Sequence, residues 1–310
     1  MMPKVTVLMP VYNGEGFIKK AIDSILNQTF TDYEFLIIND KSTDDTKNLI
    51  LSYNDKRIRF LQNENNLGQM GTLNIGIRLS GGEYVARMDQ DDISLPERLE
   101  KEVNLLDKKR DITLVYADSY IIDAGGRRRP KTLFDYSKPY RMLVFDKLLR
   151  RNFITGNTVM MRKKVLNNSS SYNANYRIAA EYDLYLRLTQ QYAVDFIDEV
   201  LAEYRVHGEN ASRQTENTMK EIISIIKNLN TDTLDRSSKK ILRRTLSWYV
   251  SNLGMEYLFQ AKRDLCKDKA KEALMINRFN FKALSELIFA FSLPQNFIDI
   301  TGSLRKKWLE

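Results

Sequence analysis

The sequence predicts an α/β fold, with a parallel, doubly wound sheet followed by a smaller all-helical C-terminal region. Three observations predict it. Short apolar stretches of strand character alternate with longer stretches of helical period from Val5 to Asp118. Turn formers such as Asn13-Gly14 and Gly81-Gly82 punctuate the changes of period. Beyond about Asn217 the strand pattern stops and only helical periods remain.

The elements follow in order. "VTVLMP" is a buried strand, and "GFIKKAIDSILNQ" a helix with Phe17, Ile18, Ala21, Ile22, Ile25 and Leu26 on one face. "EFLIIND" is a second strand, "STDDTKNLILSY" a helix, and "IRFLQ" a third strand. "GQMGTLNIGIRLS" is a helix closed by Gly81-Gly82, and "EYVARMD" a fourth strand. "SLPERLEKEVNLL" is a helix whose Ser94 and Glu97 have the spacing of a capping box, with Pro96 in the first turn. "ITLVYAD" is the fifth strand. This βαβα rhythm argues for parallel pairing, and ligands of such sheets bind at the carboxyl ends of the strands. "YIIDAGGRRRPKTLF" reads as a hairpin turning at Gly125-Gly126, "NTVMMR" as a strand, "EYDLYLRLTQQY" as a helix and "LAEYRV" as a strand. Helices are expected near 217–229, 238–262, 264–276 and 280–291. The expected organisation is a first domain over residues 1–215 and a basic helical region over 216–310.

Composition narrows the classes. A chain of 310 residues, 43% hydrophobic and 28% charged, is that of a globular protein with a substantial core. Cys266 is the single cysteine, which excludes an internal disulfide and any multi-cysteine metal site. The N-terminal segment does not have the pattern of a signal peptide, and no window offers a spanning run of apolar residues, so a cytoplasmic protein is expected. The net charge of +8 is concentrated: from Arg236 onward there are 15 Lys+Arg against 7 Asp+Glu. That excess suggests either an anionic partner, such as a membrane surface, or a solvated basic helix face. The neutral remainder argues against nucleic acid.

The chemistry-bearing stretch is "RMDQDD", where three carboxylates crowd a strand end and nothing in the local pattern neutralises them. Asp89-Gln90-Asp91 supplies hard oxygen ligands suited to Mn²⁺ or Mg²⁺, or else forms a solvated turn. Asp92 is expected to serve the start of the next helix, with metal ligation as its second role. Pro10, Tyr12, Asn13 and Asp40 lie at other strand ends. Tyr12 either stacks on a base or packs in the core, Asn13 enters a tight turn, and Asp40 hydrogen-bonds a base or ribose. Glu181 is a candidate general base at a helix N-terminus, and Asp183 complements that helix's dipole. His207, the only histidine, ends a strand two residues after Arg205, and both are expected to face phosphate or metal.

These pieces, in this order, resemble glycosyltransferase family 2, whose catalytic domain has the GT-A fold, a doubly wound mixed sheet with flanking helices. The likeness rests on residues 5–46, "NNLGQMGTLNIGI", "GGEYVARMDQDDISLPERL", "EYDLYLRL" and "YRVHGEN", and covers roughly residues 3 to 212. It implies a nucleotide-diphosphate sugar donor, commonly a UDP-sugar, a divalent cation, Mn²⁺ or Mg²⁺, and inversion at the anomeric carbon. It implies that Pro10, Tyr12 and Asp40 line the nucleobase pocket, that Asp89 contacts the ribose side, and that Asp91 binds the metal. Arg205 and His207 match a motif near the diphosphate. Glu181 falls at the position of the catalytic base, usually the aspartate of a Glu-Asp pair, where this chain reads Ala180-Glu181. Asn74 occupies the donor-site position of the third helix, preceded by Leu73 where many relatives have arginine.

The expected function is inverting, metal-dependent transfer of a sugar to a glycan or lipid-linked acceptor in surface polysaccharide synthesis. The basic, apolar-interleaved C-terminal segment is expected to touch the membrane or another subunit. A sugar-nucleotide nucleotidyltransferase is the alternative enzyme, but "PVYNGEGF" lacks the basic phosphate loop it needs. A non-catalytic nucleotide-sugar-binding protein is the other alternative.

Overall fold

The computed structural model describes residues 2–166, 171–208 and 215–292, and the chain divides into two compact units, residues 1–210 and 211–310. The first unit carries strands β1 (Val5–Val11), β2 (Tyr33–Asn39), β3 (Ile58–Gln62), β4 (Tyr84–Arg87), β5 (Ile93–Ser94), β6 (Ile112–Asp123), β7 (Arg128–Thr132), β8 (Met160–Arg162) and β9 (Ala193–Val206). Its helices are α1 (Ile18–Leu26), α2 (Thr46–Leu51), α3 (Gly68–Leu79), α4 (Arg98–Lys108), α5 (Leu133–Tyr136), α6 (Phe145–Arg150), α7 (Lys163–Leu166) and α8 (Ala180–Thr189), with a 3₁₀ turn at Gly156–Thr158.

The strands form one sheet in the order β3-β2-β1-β4-β8-β6-β9-β5, with β7 paired to β6. The expected parallel pairing holds for β3, β2, β1 and β4. The fifth predicted strand, β6, keeps that direction and pairs parallel with β9, but it does not pair directly with β4. β8 inserts between β4 and β6 and runs antiparallel to both, so the sheet is mixed. β8 is buried along all three residues, with Met160 and Met161 on opposite faces, which lets so short a strand fill a central position. β1 and β2 are likewise buried along almost their whole length. One core cluster collects Val5, Val7, Met9, Ile22, Phe35 and Leu99 between this sheet and helices α1 and α4. At about 25 cal/mol per Å² of apolar area removed from water, such burial supplies the dominant drive for folding.

The capping box expected at Ser94 and Glu97 does not form. Ser94 belongs to β5, its hydroxyl accepts from Arg98 Nη1 at 2.9 Å, and Glu97 precedes α4 without a side-chain cap bond. Asp92 does not serve that helix either; it is buried and bonds to β9. The spacing was that of a cap, but pairing β5 with β9 draws the chain into an extended path there and delays the helix.

The second unit is helical over its described residues, with α9 (Thr215–Asn228), α10 (Arg236–Phe259), α11 (Arg263–Ile276) and α12 (Phe281–Ser292). Asp235 caps α10 by accepting from the Ser238 N–H at 2.7 Å. Ile226, Val250, Leu253, Cys266 and Ala273 share its core. Burial pushes the Cys266 thiol up to about 11, so the lone cysteine is a packing residue, not a nucleophile. Among the described residues, no helix is long and apolar enough to cross a membrane. The predicted membrane-facing segment beyond residue 292 lies outside the described residues.

Candidate active site

Sheet register explains why distant residues meet. β5 runs antiparallel to β9, with Ile93 opposite Glu203. The loop Asp89–Asp92, which leaves β4 and enters β5, is thereby laid against the end of β9. Asp91 Oδ2 and His207 Nε2 are 2.9 Å apart. Asp92 Oδ1 accepts the Arg205 N–H at 2.8 Å, and Arg205 Nε donates to the Asp91 carbonyl at 2.7 Å. The Phe17 ring lies 5.0 Å from the Arg205 guanidinium and 5.1 Å from the His207 ring, which fixes both.

Each crowded carboxylate therefore has a partner within the chain, two of them brought in from distant segments as the absence of a local neutralising pattern requires. Arg87, the last residue of β4, ion-pairs through Nη2 with Asp89 Oδ1 at 2.8 Å and through Nη1 with Glu181 Oε1. Gln69 adds a bond to Asp89 at 3.0 Å. Burial and the neighbouring Asp89 push the Asp91 carboxyl up, against the opposing pull of His207. Burial, Asp91 and Asp89 push Asp92 well above the usual carboxylate range, and its Oδ2 is buried without a hydrogen-bond partner. This is an anionic site that remains short of positive charge. Asp91 and His207 offer one carboxylate oxygen and one imidazole nitrogen, a donor pair that suits Mn²⁺ or Mg²⁺ when water and substrate oxygens complete the shell. Among the described residues, no group of three His, Cys, Asp or Glu side chains forms a complete cage.

The nucleotide-side candidates cluster at the ends of β1 and β2. Pro10 lies in β1, two residues past the last pairing with β4 (Leu8 with Arg87), where its missing N–H is tolerated. Tyr12 follows the strand with 45% of its surface exposed, so its ring is not a core residue. Its backbone is clamped by Gln90, which accepts the Tyr12 N–H at 2.8 Å and donates to the Tyr12 carbonyl at 3.0 Å. Gly14 leaves room for this clamp, since a Cβ there would stand 2.7 Å from Gln90 Oε1 and push the glutamine aside. Asn13 sits in the left-handed region at φ 48° and accepts from the Thr43 N–H at 2.9 Å. Asp40 is buried, with Oδ1 taking bonds from Asn63 Nδ2 at 2.7 Å and the Leu67 N–H at 2.8 Å.

Two expectations change. Arg205 is only 1% exposed, and its guanidinium donates to the carbonyls of Asp91, Asp123 and Ala124. It braces the Asp89–Asp92 loop from within the protein, which is a structural role instead of the expected phosphate- or metal-facing one. Asn74 donates to the Tyr172 carbonyl at 2.8 Å and accepts the Tyr172 N–H at 2.9 Å, so its amide holds a neighbouring segment. The sequence reading missed Arg87, Gln90 and Phe17 as site residues. Arg87 had a visible signal, a charge ending an otherwise apolar strand. Gln90 and Phe17 had none, because their roles depend on contacts with residues far away in the chain. Asp183 does lie in the first turn of α8, and it also pairs with Arg187 at 2.8 Å.

The family model described as glycosyl transferase family 2 matches residues 6–169. An uncharacterized glycosyltransferase of Rickettsia felis is 33% identical over 225 residues, 69% of this chain, and the chain spans 36% of that relative's length. Among solved structures, S. aureus TarS in complex with UDP-GlcNAc is similar at 18% identity with a TM-score of 0.65, covering 93% of this chain and 90% of that one. The mannosyltransferase PcManGT from Pyrobaculum calidifontis, in complex with GDP-Man and Mn²⁺, is similar at 15% identity with a TM-score of 0.60, covering 99% and 88%. These likenesses establish a shared GT-A-type fold.

Proposed function

The chain belongs to glycosyl transferase family 2, and on that premise we propose that it transfers a sugar, with inversion, from a nucleotide-diphosphate donor to a hydroxyl acceptor. The observation that carries this reading is the convergence, on one loop, of the Asp91–His207 pair and the Asp89–Arg87–Glu181 chain of ion pairs. Tyr12 offers an exposed ring for the base, Asp40 and Asn13 line the same strand ends, and Asp89 faces the ribose. Asp91 and His207 would hold Mn²⁺ or Mg²⁺. When bound, the ion supplies positive charge to the leaving diphosphate. Glu181, with a quarter of its side chain exposed, takes the proton of the attacking hydroxyl. That TarS was solved with UDP-GlcNAc and PcManGT with GDP-Man and Mn²⁺ supports this donor class and cation, with a UDP-sugar first.

The test is a screen of UDP-, GDP- and dTDP-sugars for binding and hydrolysis with and without Mn²⁺. One donor is expected to bind in the presence of Mn²⁺ and to be released by chelator. Asp91→Ala should weaken the cation-dependent binding by at least about 10- to 100-fold, the loss that removal of an outer-shell contact alone causes at a metal site. Binding that is indifferent to both chelator and Asp91→Ala would overturn the metal assignment.

The acceptor we infer is a glycan or lipid-linked sugar of surface polysaccharide synthesis, met at the inner face of the membrane. On α12 and the turn before it, Phe279, Phe281, Leu284, Ile288 and Phe289 are exposed, beside Arg278 and Lys282. An apolar helix face flanked by cations suits an anionic interface. The full chain is expected to sediment with vesicles containing anionic lipid at low salt and to be released at high salt. No sedimentation at low salt would discard the membrane contact.

A further inference from the structure

We propose that Arg87 is a positioning residue that joins the donor side of the site to the base, one guanidinium holding Asp89 and Glu181 together. The proposal rests on the reading of Glu181 as base. Arg87 is 5% exposed, and its main chain is pinned on both sides: its N–H donates to the Val159 carbonyl at 3.0 Å, and its carbonyl accepts from Arg98 Nη2 at 2.7 Å. The side chain therefore leaves β4 from a fixed point. Its fork then spreads over two carboxylates from different elements, the loop after β4 and the first turn of α8. Gly156 seals the pair, because a Cβ there would lie 2.6 Å from Arg87 Nη1 and 2.6 Å from Glu181 Oε2.

The consequence is electrostatic. Two carboxylates share one cation, so whatever a donor contributes to Asp89 leaves more of the guanidinium's charge to Glu181. The groups that bear on the pair are Asp89 after β4, Tyr172, and Tyr185 on the same helix as Glu181; both tyrosines interact with Arg87. Without Arg87, Glu181 would face Asp89 and two neutral phenols, and its proton affinity would rise. A lysine presents one point charge and cannot bridge both carboxylates as a planar fork does.

The test follows donor turnover by the full chain across a range of pH, using the sugar nucleotide that scores in the screen. Arg87→Met is expected to lower kcat by about tenfold or more and to move the acidic limb of the pH profile up by about one unit, with a loss of donor affinity through the freed Asp89 that a pH shift does not accompany. Arg87→Lys should recover part of the rate and part of the shift. Gly156→Ala keeps every charge and displaces the pair, so it should lower kcat without weakening donor binding, and it carries the test if Arg87→Met does not fold. A purely structural role would scale activity equally at all pH values. If Glu181→Gln is inactive while Arg87→Lys and Gly156→Ala keep the wild-type rate and acidic limb, the coupling is refuted and the base assignment stands. Full activity of Glu181→Gln would instead remove the base assignment on which the coupling rests.

Discussion

Glu181→Gln is expected to lower glycosyl transfer by about 10²- to 10⁴-fold, the range a general base contributes, while nucleotide-sugar binding is retained. Glutamine keeps the shape and one oxygen of the side chain but accepts no proton at neutral pH. Arg87 keeps its 2.8 Å contact with Asp89, so the donor side stays in place. Turnover and donor affinity measured on the same preparation separate the two effects. A variant that retains more than about a tenth of the wild-type rate would remove Glu181 from the role of base.

Asp89, Asp91, His207 and Glu181 were all legible as candidates, because carboxylates and the single histidine at strand and helix ends stand out against apolar elements. Their pairing was not legible. Asp91 meets His207 only because β5 aligns with β9. Arg205 showed the limit most clearly. By its place in the sequence it could face phosphate, yet it is buried and bound to three carbonyls. Charge type is a local property, whereas the direction a charge faces depends on what packs around it.

The second large effect concerns stability. Arg98 and Glu102 are both fully buried, 3.0 Å apart on one face of α4. Arg98 also donates to the Ser94 hydroxyl at 2.9 Å and to the Arg87 carbonyl at 2.7 Å. This pair thus sits beneath the strand end that carries Arg87. Arg98→Met strands a buried carboxylate and is expected to cost about 3–5 kcal/mol near pH 8. The pH dependence has a definite sign. Burial pushes Glu102 up to about 7 from its ordinary 4.5, against the pull of Arg98. A carboxyl raised on folding binds its proton more tightly in the folded chain. Its contribution is most favourable below about 4.5 and is lost as pH rises through about 7. Arg98→Met should therefore be less damaging near pH 5, where Glu102 is protonated, than near pH 8. Adding Glu102→Leu should recover much of the loss, since an apolar pair removes the stranded charge. Denaturant titrations at the two pH values check all three statements. A loss below about 1 kcal/mol near pH 8 would show that the pair is dispensable.

By itself, the sequence determined the order of the first four strands and the helices between them, the four helices of the second unit, and the residues capable of metal, base and nucleotide chemistry, but not β5 or the short helices α5, α6 and α7. These are local properties: hydrophobic period, turn formers and side-chain type act over a few residues. Only the tertiary structure decided that β8 enters antiparallel between β4 and β6, that Ser94 joins a strand instead of capping a helix, and that Arg87 binds two carboxylates at once. Each of these depends on contacts between residues distant along the chain. Their energies come from burial and pairing across the sheet, and no window of local sequence contains both partners.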